Sequence, residues 1–176
     1  MKAFLQALLT PFRSWLDKLR VRREPLRSVH GAAIELAAEE RLSRFLYSRS
    51  KYWRSANKAK PDAFTPFPHQ SLSTAHITGM ADRAIWDLSK STLGNDPGRD
   101  KVYARADLDV ADVLMQKLQA FRDNHPFERH TNIIGWPHLS DPAEQKALWL
   151  QIALELSLAA TLQISAVPVS KSKRID

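Results

Sequence analysis

A chain of 176 residues with 44% apolar and 26% charged side chains is long enough for one well-packed domain with an appendage, and short for two full domains. It contains no cysteine, which excludes disulfide staples, thiolate nucleophiles and cysteine-ligated zinc. The net charge of +7 is unevenly placed: residues 1–60 hold 14 Lys/Arg against five Asp/Glu, whereas residues 61–176 hold 12 against 14, so a field suited to an anionic partner lies in the front third.

No run approaches the ~20 apolar residues of a membrane-spanning helix. Pro11 and Arg13 stand where a secretory signal would place small residues, so a cytoplasmic setting is expected, with an organelle transit peptide as the alternative for this basic, acid-poor start. Within residues 1–30, Phe4, Leu5, Leu8, Leu9, Phe12, Trp15, Leu16 and Leu19 recur at helical spacing, and Thr10-Pro11 reads as an N-cap followed by Pro at the first helical position. This predicts a basic amphipathic helical arm. Its apolar side could dock on the domain itself, on a partner, or on a membrane surface through Phe12, Trp15, Leu16, Leu19 and Arg20.

A second helix is predicted from Ala32 to about Tyr47 on Ile34, Leu36, Leu42, Phe45 and Leu46, with its acidic residues ahead of its basic ones. Ser48–Gln70, with Pro61, Pro66 and Pro68, reads as an irregular arm. A strand is expected over Ser71–Thr78, a helix over Met80–Ser91, a turn cluster over Leu93–Arg99, and a strand over Lys101–Ala106. Asp107 or Asp109 would cap a helix running to Leu118. Short strands are expected at Ala120–Asp123 and Thr131–Trp136, then a long helix opened by Asp141-Pro142 and reaching about Gln163. The expected fold is α+β: residues 31–165 form a small mixed sheet of three to four strands covered by helices, behind the arm, with residues 166–176 as a loose tail.

The densest chemical signal is Arg41–Lys60, which holds seven Lys/Arg and no Asp/Glu, interleaved with Phe45, Tyr47, Tyr52 and Trp53. Such cations neutralise phosphates and such rings stack on bases. Arg41, Arg44, Arg49, Lys51, Tyr52, Trp53, Arg54, Lys58 and Lys60 are therefore candidate nucleic-acid contacts, although the arginines could equally solvate a helix whose core side carries Phe45 and Tyr47.

A second cluster joins Tyr103-Ala-Arg105-Ala-Asp107-Leu-Asp109 to the run Arg122–His130. It supplies the ingredients of general acid/base chemistry: His130 as acid/base, Arg105 as an anion clamp, Asp107 or Asp109 as orienting carboxylate. The same residues also build caps and turns, and Asp123-Asn124 before Pro126 suits a turn. A Ser–His pair can be drawn from Ser71, Ser73 or Thr74 with His69 or His76, but there is no Gly-x-Ser-x-Gly elbow. The six histidines show no local metal-binding spacing, and the five glycines allow neither a Walker A loop nor a dinucleotide fingerprint. No metal and no cofactor is called for.

The run Arg105-Ala-Asp107-Leu108, with Arg129-His130-Thr-Asn-Ile-Ile-Gly135-Trp136-Pro137 after it, resembles a set of small bacterial proteins that share an Arg-Ala-Asp-Leu segment and a His-x-x-Ile-Ile-Gly-Trp-Pro strand. Phe45-Leu-Tyr-Ser-Arg49 and Lys60-Pro-Asp-Ala-Phe64 extend the similarity over roughly residues 40–160. The resemblance implies no activity. It implies that Arg105, Asp107, His130 and Trp136 occupy motif positions and that such proteins sit in variable bacterial gene neighbourhoods, including ones with defence functions. With the basic front third and the aromatic-rich basic run, the expected function is that of an accessory or binding protein of a bacterial defence or mobile-element system. Its basic front third would then contact nucleic acid or a larger protein complex. A hydrolase or transferase acting on a nucleotide or nucleic acid is the alternative expectation, and a membrane-surface-anchored interaction protein the third.

Overall fold

The computed structural model describes residues 33–66, 70–93 and 101–165. The predicted N-terminal arm, with Phe12, Trp15, Leu16, Leu19 and Arg20, lies outside them, as does the tail. The elements are strands β1 (Ile34–Glu35), β2 (Arg41–Leu46), β3 (Tyr52–Trp53), β4 (Lys58–Ala59) and β5 (Leu72–His76), helix α1 (Asp82–Ser91), β6 (Ala104–Asp109), helix α2 (Val110–Met115), β7 (Gln119–Arg122), β8 (His130–Ile134), helix α3 (Pro142–Ala159) and β9 (Thr161–Ile164).

The expected small mixed sheet of three to four strands is replaced by one antiparallel sheet of seven, in the order β1-β7-β8-β5-β2-β6-β9, beside a separate β3-β4 hairpin. Two misread segments account for the difference. The helix expected over 32–47 is β1, a turn and β2. Leu42, Phe45 and Leu46 have the i, i+3, i+4 spacing of a helix, but β2 is central and covered on both faces. Leu42 and Leu46 face one layer and Phe45 the other, so apolar residues appear on both phases of the pleat and the period of two is hidden. At the other end, the helix stops at Ala159 and Thr161–Ile164 pair with β6. Ala160 is already extended (φ −64°, ψ 141°), with no Gly or Pro to announce the change.

The larger core layer packs Leu42, Leu46, Leu72, Ala106 and Ile133 against Leu148, Ile152 and Leu156 of α3 and against Phe64. Helix α3 begins as its sequence requires: Asp141 Oδ1 accepts from the backbone N–H groups of Ala143 (2.7 Å) and Glu144 (3.0 Å), and Pro142 follows. Its far end is held by Lys58, whose Nζ donates to the carbonyls of Leu158 (3.0 Å) and Ala160 (3.4 Å). That places a cation on orphan carbonyls at the negative end of the helix dipole. Ser157 Oγ donates to Ala59 O at 2.6 Å, so the hairpin region is bolted to α3 rather than being a loose arm. After β8 the chain turns at Gly135 with φ +83°, a conformation open to glycine at little cost, and Trp136 Nε1 donates to Ile133 O.

His76 closes one end of this layer. Its buried ring stands 3.0 Å from Glu40 through Nε2 and 3.4 Å from Arg122 through Nδ1, and Arg129 donates to its backbone carbonyl. Burial holds its pKa below the ordinary 6.5, opposed by Glu40 and reinforced by Arg129 and Arg122. The folded chain therefore prefers neutral His76. As pH falls through about 6.5 the unfolded state takes up a proton first, and stability is lost, at a rate of at most about 1.4 kcal/mol per pH unit for one proton. Thermal melts between pH 7.5 and 5.5 should show this decline, and His76→Gln should flatten it.

Candidate active site

The second face of the sheet is only partly covered. Phe45, Ala75 and Ile77 pack under Ile85 of α1, and the same face carries the polar residues Ser43, Ser73, Arg105, Asp107, His130 and Asn132, with Phe121 and Ile134 at its β7–β8 side. On β5 the residue beyond this apolar patch is Ser73, which is exposed between buried Leu72 and Thr74. The β5–β8 register places Asn132 opposite Ser73 and His130 opposite Ala75, and alternation along each strand puts all four side chains on one face.

The β7–β8 connection then brings in a carboxylate. Asp123 N donates to His130 O at 3.1 Å, continuing the ladder one residue past β7. The loop is tied by its own polar residues: Asn124, at φ +55°, accepts from Arg129 N through Oδ1 at 2.9 Å, Asp123 Oδ1 accepts from His125 N at 3.2 Å, and His130 N donates to Phe127 O. The turn expected from Asp123-Asn124 and Pro126 is present. Its consequence for chemistry is that Asp123 faces the imidazole.

The contacts form one chain. Ser73 Oγ is 2.9 Å from His130 Nε2, His130 Nδ1 is 2.6 Å from Asp123 Oδ1, and Asn132 Nδ2 donates to Asp123 Oδ2 at 2.8 Å. A carboxylate only accepts, so Nδ1 carries the proton and Nε2 is free to accept from the serine hydroxyl. The imidazole is buried, with the Phe127 ring edge-on at 4.9 Å, while Ser73 is open to solvent. Nucleophile, base and orienting carboxylate thus stand in the geometry of a serine hydrolase relay.

Of the expected acid/base set, His130 occupies this centre, but Arg105 and Asp107 do not touch it. They lie on β6, three strands from β8 with β2 and β5 between, or about 14 Å of sheet at ~4.8 Å per strand. Asp123, not Asp107 or Asp109, orients the histidine. Asp107 is buried mid-strand 3.3 Å from Arg105, and burial raises its pKa, opposed by the Ser43 hydroxyl and the Arg105 guanidinium. Asp109 occupies the N-cap position of α2 without a side-chain capping bond; its carboxylate lies 3.5 Å from Arg41.

The basic run from Arg41 to Lys60 is largely drawn into the fold. Besides Arg41 and Lys58, Arg44 donates to Ala63 O (3.1 Å) and Ser73 O (2.6 Å), Lys51 pairs with Asp62 at 3.1 Å, and Tyr52 is buried. Arg49 sits 5.2 Å from the centre of the Tyr103 ring. At the β3–β4 hairpin, Trp53 and Arg54 remain exposed, with Lys60 Nζ 5.7 Å from the Trp53 ring.

Among the described residues no group of three or more His, Cys, Asp or Glu side chains could hold a metal ion, and no helix is long and apolar enough to cross a membrane. No protein-family model, curated protein or solved structure matches the chain.

Proposed function

We propose that the chain is a nucleophilic hydrolase or acyltransferase with a cytoplasmic setting, in which Ser73 is the nucleophile, His130 the general base and acid, and Asp123 the residue that fixes the imidazole. The observation that carries this reading is the continuous Ser73–His130–Asp123 chain at 2.9 and 2.6 Å. Ser73 Oγ attacks an ester or amide carbonyl carbon and its proton passes to His130 Nε2; the imidazolium is stabilised by Asp123. Collapse of the tetrahedral intermediate returns that proton to the leaving group and leaves an acyl-serine. A water or acceptor hydroxyl, deprotonated by the same histidine, then releases the acyl group and restores Ser73. An active-site-directed fluorophosphonate tests the reading, because it forms a stable adduct only with an activated serine.

A second reading, a nucleic-acid-contacting accessory protein of a bacterial defence or mobile-element system, is favoured by the exposed Trp53 and its basic hairpin. The expected result is a single-stranded nucleic acid gel shift that weakens steeply with salt and is reduced by Trp53→Ala with Arg54→Ala. Absence of binding at low salt would exclude it.

A further inference from the structure

The same open face carries a second polar group that the relay does not use. Arg105 stands opposite Phe45 on β2, and the β2–β5 register, with Ser43 opposite Ala75, carries Phe45 opposite Ser73. Ser73 and Arg105 therefore lie in one row across the sheet, two strand spacings or about 10 Å apart along the backbone. The guanidinium is buried, with only 4% of the side chain exposed. It is stacked 5.0 Å from the centre of the Trp86 ring of α1.

Its partners leave it incompletely satisfied. Arg105 Nη2 meets Asp82 Oδ1 at 2.6 Å and Asp107 Oδ2 at 3.3 Å, and Nη1 donates to the Asp82 backbone carbonyl at 3.4 Å, but buried Arg105 Nε has no hydrogen-bond partner among the described residues. Buried unpartnered groups of this kind cost stability and call for an explanation such as water or a ligand. The Asp82 carboxylate is 70% exposed, at the first residue of α1, just after Gly79 (φ +74°), where an added Cβ would meet nothing within 4 Å. So the one carboxylate closing this guanidinium from solvent sits on a helix end next to an uncrowded turn.

We infer that Arg105 is the anion-binding subsite of this face, occupied by Asp82 in the free protein, and that it takes a small substrate carrying a carboxylate or phosphate on the side of the scissile bond that points toward α1. A planar guanidinium with a free Nε edge binds either anion in bidentate fashion once the Asp82 carboxylate swings away, and the Trp86 ring keeps it flat and oriented. The position of the subsite relative to the reaction rests on the proposed role of Ser73; the binding of an anion to Arg105 does not.

Thermal shifts at constant ionic strength with succinate or inorganic phosphate as separate probes, against sodium chloride, test it. Asp82→Asn removes the internal competitor at an exposed position, so at least one probe should shift its Tm upward by several degrees more than it shifts wild type. Asp82→Asn with Arg105→Lys, which keeps the charge but not the fork, should lose most of that gain. Whichever probe shifts the melt identifies the anion class. Equal, negligible shifts for wild type and Asp82→Asn would overturn the inference and leave Asp82–Arg105 as a tie between α1 and the sheet. If anions bind but Ser73 proves inert, the subsite stands and the hydrolase reading falls; a reactive Ser73 without anion binding gives the reverse.

Discussion

Ser73→Ala lowers turnover of an activated ester by at least about a thousand-fold while leaving the fold intact, because the hydroxyl is the only atom lost and its side chain is exposed. Asp123→Asn should be nearly as damaging. The amide can present Nδ2–H to the imidazole, which favours the tautomer with its proton on Nε2, so that Nε2 can no longer accept from Ser73; a loss of about 10³–10⁴ in kcat is expected. Removing both residues should cost little more than removing one, since members of a relay act as a unit. Additive losses would mean that the two do not share a step.

Phe64→Ala should destabilise the protein by about 3–5 kcal/mol, a large share of the 5–15 kcal/mol typical of a domain. Phe64 is fully buried in the larger core layer, and truncating it opens a cavity between the sheet, α3 and the short turn at Pro61–Ala63. The urea midpoint reports the loss. A change under about 1 kcal/mol would show that this segment is the irregular arm that its proline content suggests, and that it contributes little to the core.

This contrast shows where the fold was legible. Asp141-Pro142 carries its whole meaning locally, and the start of α3 follows from it. The helix of residues 82–91 was likewise readable, because it has one covered side with Ile85 and Ser89 buried, and the strand beginning near Leu72 was readable from its extent rather than from a clean alternation. β2 was not: a strand buried on both faces has no period for a local pattern to detect. The segment around Phe64 was hidden for another reason, since its prolines punctuate the backbone while Phe64 is held by an element almost 90 residues later in the chain.

The candidate site divides in the same way. His130 stood out as a titratable group entering an apolar strand, and the turn at Asp123-Asn124 was visible in composition. Ser73 is 57 residues from His130, and only strand register makes them neighbours. Once β5 and β8 are paired with Thr74 opposite Thr131, the side chains of Ser73 and His130 fall on one face. With the ladder continued from Arg122 opposite Thr131, Asp123 comes beside His130. Asn132 was missed for the same reason: its bond to Asp123 depends on β7 and β8 being adjacent. The Arg105-Ala-Asp107 alternation does place two charges on one face, but they close on each other and on Asp82.

The measurement that bears most directly on the account is peptide mapping of the full chain after treatment with a fluorophosphonate. One dominant adduct is expected, on Ser73, and it should be absent from Ser73→Ala and His130→Ala variants that retain wild-type melting behaviour. An unlabelled Ser73 in folded protein, or labelling that survives the loss of His130, would contradict it.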